Sequence, residues 1–123
     1  IPHALVHYCA RFGLAHGHMV GLLLPSAMRV QARQAGVQER LRGLESQMPE
    51  MAGGVLEWLS RSVPQLLAIA GLTASLWDAG FGLQDLEWIV RAEMAHEPMF
   101  GIPEHRADRH ELLDVLSGAF RQP

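Results

Sequence analysis

The apolar residues of this chain recur with the 3.6-residue period of an α-helix, and they do so over most of its length. No stretch shows the alternation of apolar and polar residues that a half-buried strand requires, and β-branched residues are few. Glycine and proline interrupt the pattern at short intervals, so each helix is brief. The pattern therefore predicts an all-α fold, a multi-helix bundle of six or seven helices with short connections.

The glycine and proline residues divide this pattern into seven helical segments. They cover approximately residues 3–12, 16–34, 37–48, 50–70 and 73–79, a segment from Leu83 that ends before Pro98, and a last one that begins with Asp108. Asp108 and Glu111 have the spacing of a capping box. Pro25 is expected to kink the second helix, since proline lacks a backbone donor, and Pro64 could split the fourth.

Three apolar stripes are expected to face the core. They are Leu41, Leu44 and Met48 in the third helix, Leu56, Leu59, Val63, Leu66 and Leu67 in the fourth, and Leu112, Leu113, Leu116 and Phe120 in the last. The apolar neighbours of Cys9 likewise indicate a core position. We expect residues 97–107, which contain two prolines and a glycine, to form a loop.

Composition narrows the class of protein. With 123 residues, 49% of them hydrophobic, the chain is long and apolar enough for one globular domain. A net charge of −3 argues against a nucleic-acid-binding domain, which would be basic. The single cysteine excludes an internal disulfide and suits a reducing compartment. No signal peptide and no membrane-length apolar run is visible, so we expect a cytoplasmic chain with no membrane or nucleic-acid partner.

Histidine is the residue type that carries the strongest functional signal. There are 7 histidines in the chain, and His3, His7, His16 and His18 fall near its start. On a helix, His3 and His7 would lie one turn apart on one face, where two imidazoles can converge on one ion. On spacing alone, a structural role as polar groups at helix ends is the more frequent case. His18 is expected to point elsewhere.

Other common functional motifs are missing from the sequence. It contains no H-E-x-x-H, C-x-x-C or G-x-G-x-x-G motif and no phosphate-cradling loop. We therefore expect that this chain by itself does not bind a dinucleotide. His96, His105 and His110 are interpreted as structural, because none has a partner carboxylate at ligand spacing.

Several spaced elements together resemble the iron-containing (group III) alcohol dehydrogenases of the dehydroquinate synthase-like superfamily. The elements are HALVH at residues 3–7, RFGLAHG at 11–17, GLLLP at 21–25 and MR at 28–29, followed by LL at 66–67, GL at 71–72, SL at 75–76, DL at 85–86, EP at 97–98, ELL at 111–113 and AF at 119–120. The resemblance covers essentially the whole chain, 1–123, and is to the family's C-terminal helical domain.

The resemblance implies a function and a site. In that family a divalent metal, iron(II) or zinc, is bound by one Asp and three His, and the Asp and first His lie upstream of the segment represented here. By motif position, His3 and His16 would be the remaining two metal ligands, and His7 would be a catalytic residue that relays protons near nicotinamide and substrate. The family binds NAD or NADP in an N-terminal domain that this chain does not contain.

The expected activity is therefore oxidoreduction of a small alcohol, aldehyde or ketone by a complete, homo-oligomeric protein, with this chain an inactive fragment. Maleylacetate-reductase-like and glycerol-dehydrogenase-like members of the superfamily are alternatives. So are a free-standing helical interaction module without catalysis and a small histidine-based metal-binding protein. Without its partner domain, the chain is expected to expose apolar surface and to self-associate.

Overall fold

The structure, a computed structural model, describes residues 1–48, 51, 53–96 and 106–121, with no description of the side chain of Cys9. Within these ranges it is all-helical and contains no strand, which confirms the predicted fold class. The elements are α1 (Pro2–Val6), a 3-10 turn (Cys9–Phe12), α2 (His16–Gln31), α3 (Ala35–Glu45), α4 (Val55–Ile69), α5 (Leu83–Ala95) and α6 (Arg109–Phe120).

Helix α2 forms the centre of the bundle and packs against α1, α4 and α6. Its inward face is apolar, with Met19 and Leu23 fully buried, and it meets Val115 and Leu116 of α6 in the main core. Helix α5 adds to the same core by packing against α6 and α1. A smaller cluster, centred on Leu41, joins α3 to α4. The longest helix thus packs against three others.

Small residues allow α2 to approach its neighbours closely. A Cβ atom on Gly118 of α6 would lie only 2.8 Å from the Cβ atom of Ser26 on α2. On another side, a Cβ atom on Gly21 would lie 3.3 Å from a methyl group of Leu67 on α4. The two glycines therefore determine how near α6 and α4 lie to the central helix.

The beginning of α6 confirms the predicted capping box. The backbone N–H of Glu111 donates to the carboxylate of Asp108 at 2.8 Å, and the N–H of Asp108 donates to the carboxylate of Glu111 at 3.0 Å. Leu112, Leu116 and Phe120 are buried as expected, and Leu113 is partly buried. Because the cap satisfies backbone donors that a helix start would leave unpaired, α6 begins at a defined residue.

The predicted first helix over residues 3–12 is wrong in its second half. Helix α1 ends at Val6, and a 3-10 turn follows from Cys9 to Phe12. The ring of Phe12 stacks on Phe81 at 3.8 Å between centroids, and the Tyr8 hydroxyl donates to Glu93 at 3.3 Å. These tertiary contacts override the local helical pattern.

The predicted helix over residues 73–79 is also wrong. The segment forms a hydrogen-bonded turn, because the N–H groups of Leu76 and Trp77 donate to the carbonyl oxygens of Ala119 and Phe120 at 3.0 and 3.3 Å. These two N–H groups satisfy carbonyl groups at the carboxyl end of α6. They are therefore not available for hydrogen bonds within a helix over residues 73–79. Gly80, directly after the segment predicted as a helix, has a φ of 90° and ends the turn.

The middle helices differ from expectation at their ends. Helix α3 covers Ala35–Glu45 instead of 37–48, and α4 begins at Val55 instead of residue 50. Gly53 and Gly54 have φ values of 94° and 97°, which a continuing helix does not permit. Residues 49, 50 and 52 lie outside the described residues, as do residues 97–105 of the loop predicted over 97–107. The predicted core position of the Cys9 side chain lies outside them too.

Helix α4 runs unbroken through Pro64, and α2 through Pro25. The kink expected at Pro25 stays a prediction.

Two apolar stripes are less buried than the periodicity predicts. Leu44 on α3 is 47% exposed, and Leu66 on α4 is 60% exposed. Beyond it, Ile69 and Leu72 are 83% and 41% exposed. We call Leu66, Ile69 and Leu72 the α4 apolar end. None of the helices in the described ranges is long and apolar enough to cross a membrane.

Candidate functional site

The three histidines singled out in the sequence come together at one end of the bundle. His3 lies in α1, and His7 follows α1 with helical backbone angles (φ −56°, ψ −32°), so both keep the same helical face. The 3-10 turn and Gly13, with a φ of 73°, then reverse the chain, and His16 is the first residue of α2. The ring centroid of His3 lies 5.0 Å from that of His16 and 6.4 Å from that of His7. We call these three residues the imidazole cluster.

The separation between His3 and His16 fits two ligands of one ion. A metal–nitrogen bond of about 2.0 Å, with a further ~1.1 Å from nitrogen to ring centroid, puts two tetrahedrally arranged imidazole centroids about 5 Å apart. The rings of His3 and His7, at 6.4 Å, lie farther apart than the ~6.2 Å that two ligands on directly opposite sides of such an ion would span. The centroid separation of His3 and His16 is therefore compatible with two ligands of one ion, and His7 lies beside them.

Solvent reaches all three rings, since each of these histidines is exposed. The backbone beneath them is anchored, because Leu5 between His3 and His7 is fully buried and Met19 follows His16 in the core. In the part of the chain that the structure describes, no hydrogen bond engages the three imidazoles. Their nitrogens are thus available for an ion or a proton, while their Cα positions are held by the core.

Within the described residues, the imidazole cluster does not form a complete metal site. Among residues 1–48, 51, 53–96 and 106–121, no group of three or more His, Cys, Asp or Glu side chains is placed to hold a metal ion. Structural and catalytic zinc sites use three or four protein ligands. Further ligands would have to come from outside the described residues.

An aromatic and charged group supports the turn beside the cluster. The Tyr8 ring meets Trp88 edge-on at 5.7 Å between centroids, and the guanidinium of Arg11 lies 4.8 Å over the ring of Trp88. Burial, followed by the negative charge of Glu93 and the hydrogen bond to it, raises the pKa of Tyr8. Sequence periodicity could not reveal this group, because its members come from α1–α2 and α5, far apart in the chain.

His18 lies apart from the imidazole cluster, as its spacing predicts. Its Nε2 atom lies 2.8 Å from the carbonyl oxygen of Thr73 and 3.2 Å from the hydroxyl of that residue. A carbonyl can only accept, so Nε2 donates. Thr73, the residue at which the helix over 73–79 is predicted to begin, thus contacts α2 and does not start a helix.

A cleft of about 300 Å³ lies elsewhere, between α2, α4, the 74–78 turn and the end of α6. Arg29 and Arg121 both line it, together with Asp78. Sequence analysis missed this feature; its only signal was the arginine at position 29 in the resemblance motif, and nothing pointed to Arg121. We call it the arginine cleft.

Searches of protein-family models, of curated proteins and of solved structures find no match to this chain.

Proposed function

We propose that this chain is the C-terminal helical, metal-binding domain of an NAD(P)-dependent, divalent-metal-dependent alcohol dehydrogenase. The observation that supports this most is the 5.0 Å separation of the His3 and His16 rings, which suits two ligands of one ion. The motif resemblance supports the same pair independently of that distance. The ion would be iron(II) or zinc, and the chain would contribute half of its ligands.

His3 and His16 would hold the ion, each through a neutral imidazole nitrogen. When bound, such an ion polarises an alcohol oxygen and lowers its pKa, so that hydride can pass to a nicotinamide. His7, exposed and 6.4 Å from His3 between ring centroids, would accept or return a proton at its imidazole. Because α1 and α2 pack into the core, the backbone positions of His3 and His16 are held relative to each other.

The remaining parts of the proposal come from the resemblance. An N-terminal domain would bind NAD or NADP and supply the other two metal ligands. The substrate would be a small alcohol, aldehyde or ketone, and the complete protein would act as a homo-oligomer in the cytoplasm. Maleylacetate-reductase-like and glycerol-dehydrogenase-like activities are the alternatives within the same superfamily.

Zinc titration of the full chain tests the ligand pair. We expect Zn²⁺ binding by isothermal titration calorimetry, weak because two ligands alone hold metal weakly. His3→Ala and His16→Ala should each abolish it. His96→Ala is the matched control, because His96 is exposed at the end of α5, on another element. If the control and the two cluster variants bind Zn²⁺ equally well, the assignment fails.

The sequence upstream of Ile1 tests the two-domain proposal. An in-frame extension with a glycine-rich βαβ segment, and with an Asp and a His one helical turn apart, is expected. The protein that includes it should reduce NAD(P)⁺ in the presence of an alcohol, and His3→Ala or His16→Ala should remove that activity. A start codon directly before Ile1 would overturn the proposal.

A helical interaction module without catalysis is a second candidate. It is favoured by the α4 apolar end, where Ile69 is 83% exposed, since such surface in a monomer is a frequent contact site. The zinc titration separates the two candidates, because an interaction module has no need of the imidazole pair.

A further inference from the structure

The geometry points to the arginine cleft as a binding site for a small amphipathic carboxylate, a molecule with one carboxylate on an apolar body. This inference goes beyond the proposed function and does not depend on it. The cleft shares no residue with the imidazole cluster. Arg29 lies about 20 Å along α2 from His16, at roughly 1.5 Å per residue.

Two arginines line this cleft, and among the described residues neither has an ionic partner. Arg29 is in the last turn of α2, and Arg121 directly follows α6. Neither forms an ion pair with any carboxylate in the described ranges, whereas Arg33 and Arg109 are paired with Asp114 and Glu87 at 2.6 and 2.7 Å. Guanidinium groups bind carboxylates through two parallel hydrogen bonds, so the two free groups indicate an anion.

The other polar groups of the cleft leave a net positive charge. Asp78 is the acidic residue that lines it, against two arginines. Its carboxylate already accepts a hydrogen bond from the Ser75 hydroxyl at 2.6 Å. The Ser26 and Ser60 hydroxyls donate to backbone carbonyls within their own helices. A single negative charge on the ligand is therefore matched, and a cation is disfavoured.

The remainder of the lining is apolar and suits a hydrocarbon body. Leu22, Pro25, Pro64 and Ala119 contribute to it, and both Leu22 and Ala119 are buried. Its volume of about 300 Å³ is at the small end of ligand sites in proteins. An apolar body of about five carbons would fill part of it and displace water, with the carboxylate directed to the arginines.

Titration of the full chain with 4-methylpentanoate, followed by ¹H–¹⁵N NMR, tests this site. We expect saturable shifts of the Gly118 and Ala119 amide signals with a Kd on the order of 1 mM, and no shift at His3 or His16. Acetate, which lacks the apolar body, should bind more weakly. 3-Methylbutylamine, which reverses the charge, should not bind. Added NaCl should raise the Kd, because it screens exposed charges.

Variants connect the binding to the two guanidiniums. Arg29→Gln and Arg121→Gln should each raise the Kd about tenfold, and Asp78→Asn should lower it by removing a repulsive charge. Arg91→Gln, on the exposed side of α5, is the control and should leave the Kd unchanged. Both cleft arginines are exposed, so the variants should keep the wild-type unfolding curve.

Three outcomes would overturn the inference. The first is the absence of saturable shifts at about twenty times the expected Kd. The second is equal binding by the wild type and the two arginine variants, and the third is equal binding of the amine and the carboxylate. Zinc titration of the same samples reports on His3 and His16 alone, so a failure here is distinguishable from a failure of the proposed function.

Discussion

Ser26 and Gly118 lie at a close approach of α2 and α6, since a Cβ atom added to Gly118 would lie 2.8 Å from the Cβ atom of Ser26. Carbon atoms do not normally approach each other so closely, so any side chain on Gly118 must separate the two helices. Ser26 is buried at this contact, and its hydroxyl donates to the carbonyl of Leu23 at 3.2 Å. The close packing of α2 on α6 in the main core therefore requires that residue 118 has no Cβ atom.

Gly118→Ala is predicted to lower the free energy of unfolding by about 1–3 kcal/mol, because overpacking forces the two helices apart. Gly43→Ala is the control: Gly43 lies inside α3, and a Cβ atom there would meet nothing within 4 Å. That variant should raise the free energy of unfolding by about 0.5–1 kcal/mol. Urea denaturation measures both. Equal effects of the two substitutions would show that the contact does not limit packing.

Replacing His7 should separate proton transfer from metal binding. In the complete protein, His7→Ala is expected to lower kcat for alcohol oxidation by about 10²–10⁴-fold, as loss of general acid–base catalysis does. Zn²⁺ binding by the variant should remain, because the proposed ligand pair is His3 and His16. Added imidazole should restore part of the rate. Loss of Zn²⁺ binding in His7→Ala would show instead that His7 is a ligand.

Tyr8 should titrate above its ordinary pKa of 10.0, because burial and then the charge of Glu93 disfavour its ionised form. The unfolded chain loses this proton first, so this group's contribution to stability is present below about pH 10 and is lost as the pH rises through the folded-state pKa. Tyr8 is the single tyrosine of the chain, and absorbance near 295 nm therefore reports it alone. Glu93→Gln should move the midpoint towards 10.0; an unchanged midpoint would contradict the assigned charge effect.

The α4 apolar end should drive self-association of the isolated chain. Leu66 and Ile69 are 60% and 83% exposed, and Leu66→Gln combined with Ile69→Gln should therefore increase the monomer fraction in sedimentation velocity. Stability should change by no more than about 0.5 kcal/mol, as is usual for exposed positions. Leu44→Gln, at a 47% exposed position on α3, is the matched control. A wild-type chain that stays monomeric at all concentrations would refute this prediction.

Sequence patterns predicted this fold well where local forces decide it. Asp108 and Glu111 cap α6 as their spacing indicates, because both partners lie within one turn. The helix predicted over residues 73–79 is wrong because a distant contact decides the structure there. Leu76 and Trp77 donate to the end of α6, more than 40 positions further along the chain. Periodicity carries no information about such a contact.

The candidate sites divide in the same way. His3, His7 and His16 lie within one short segment, and their grouping follows from a helix and a turn. Arg29 and Arg121 belong to opposite ends of the chain, and only the packing of α6 on α2 brings them to one cleft. No local pattern could have paired them.

Because the imidazole cluster is exposed, its residues can change in evolution without changing the residues that stabilise the fold. His3, His7 and His16 are exposed, while the buried residues that hold α1 and α2 in place are apolar. A single codon change at any of the three positions would therefore remove a proposed ligand or the proposed proton relay and leave the interior untouched. If the proposed function holds, a lineage that carries this domain would lose the reaction in one step and still make a folded helical protein. Chains of this shape are thus expected to occur with the histidines and without them.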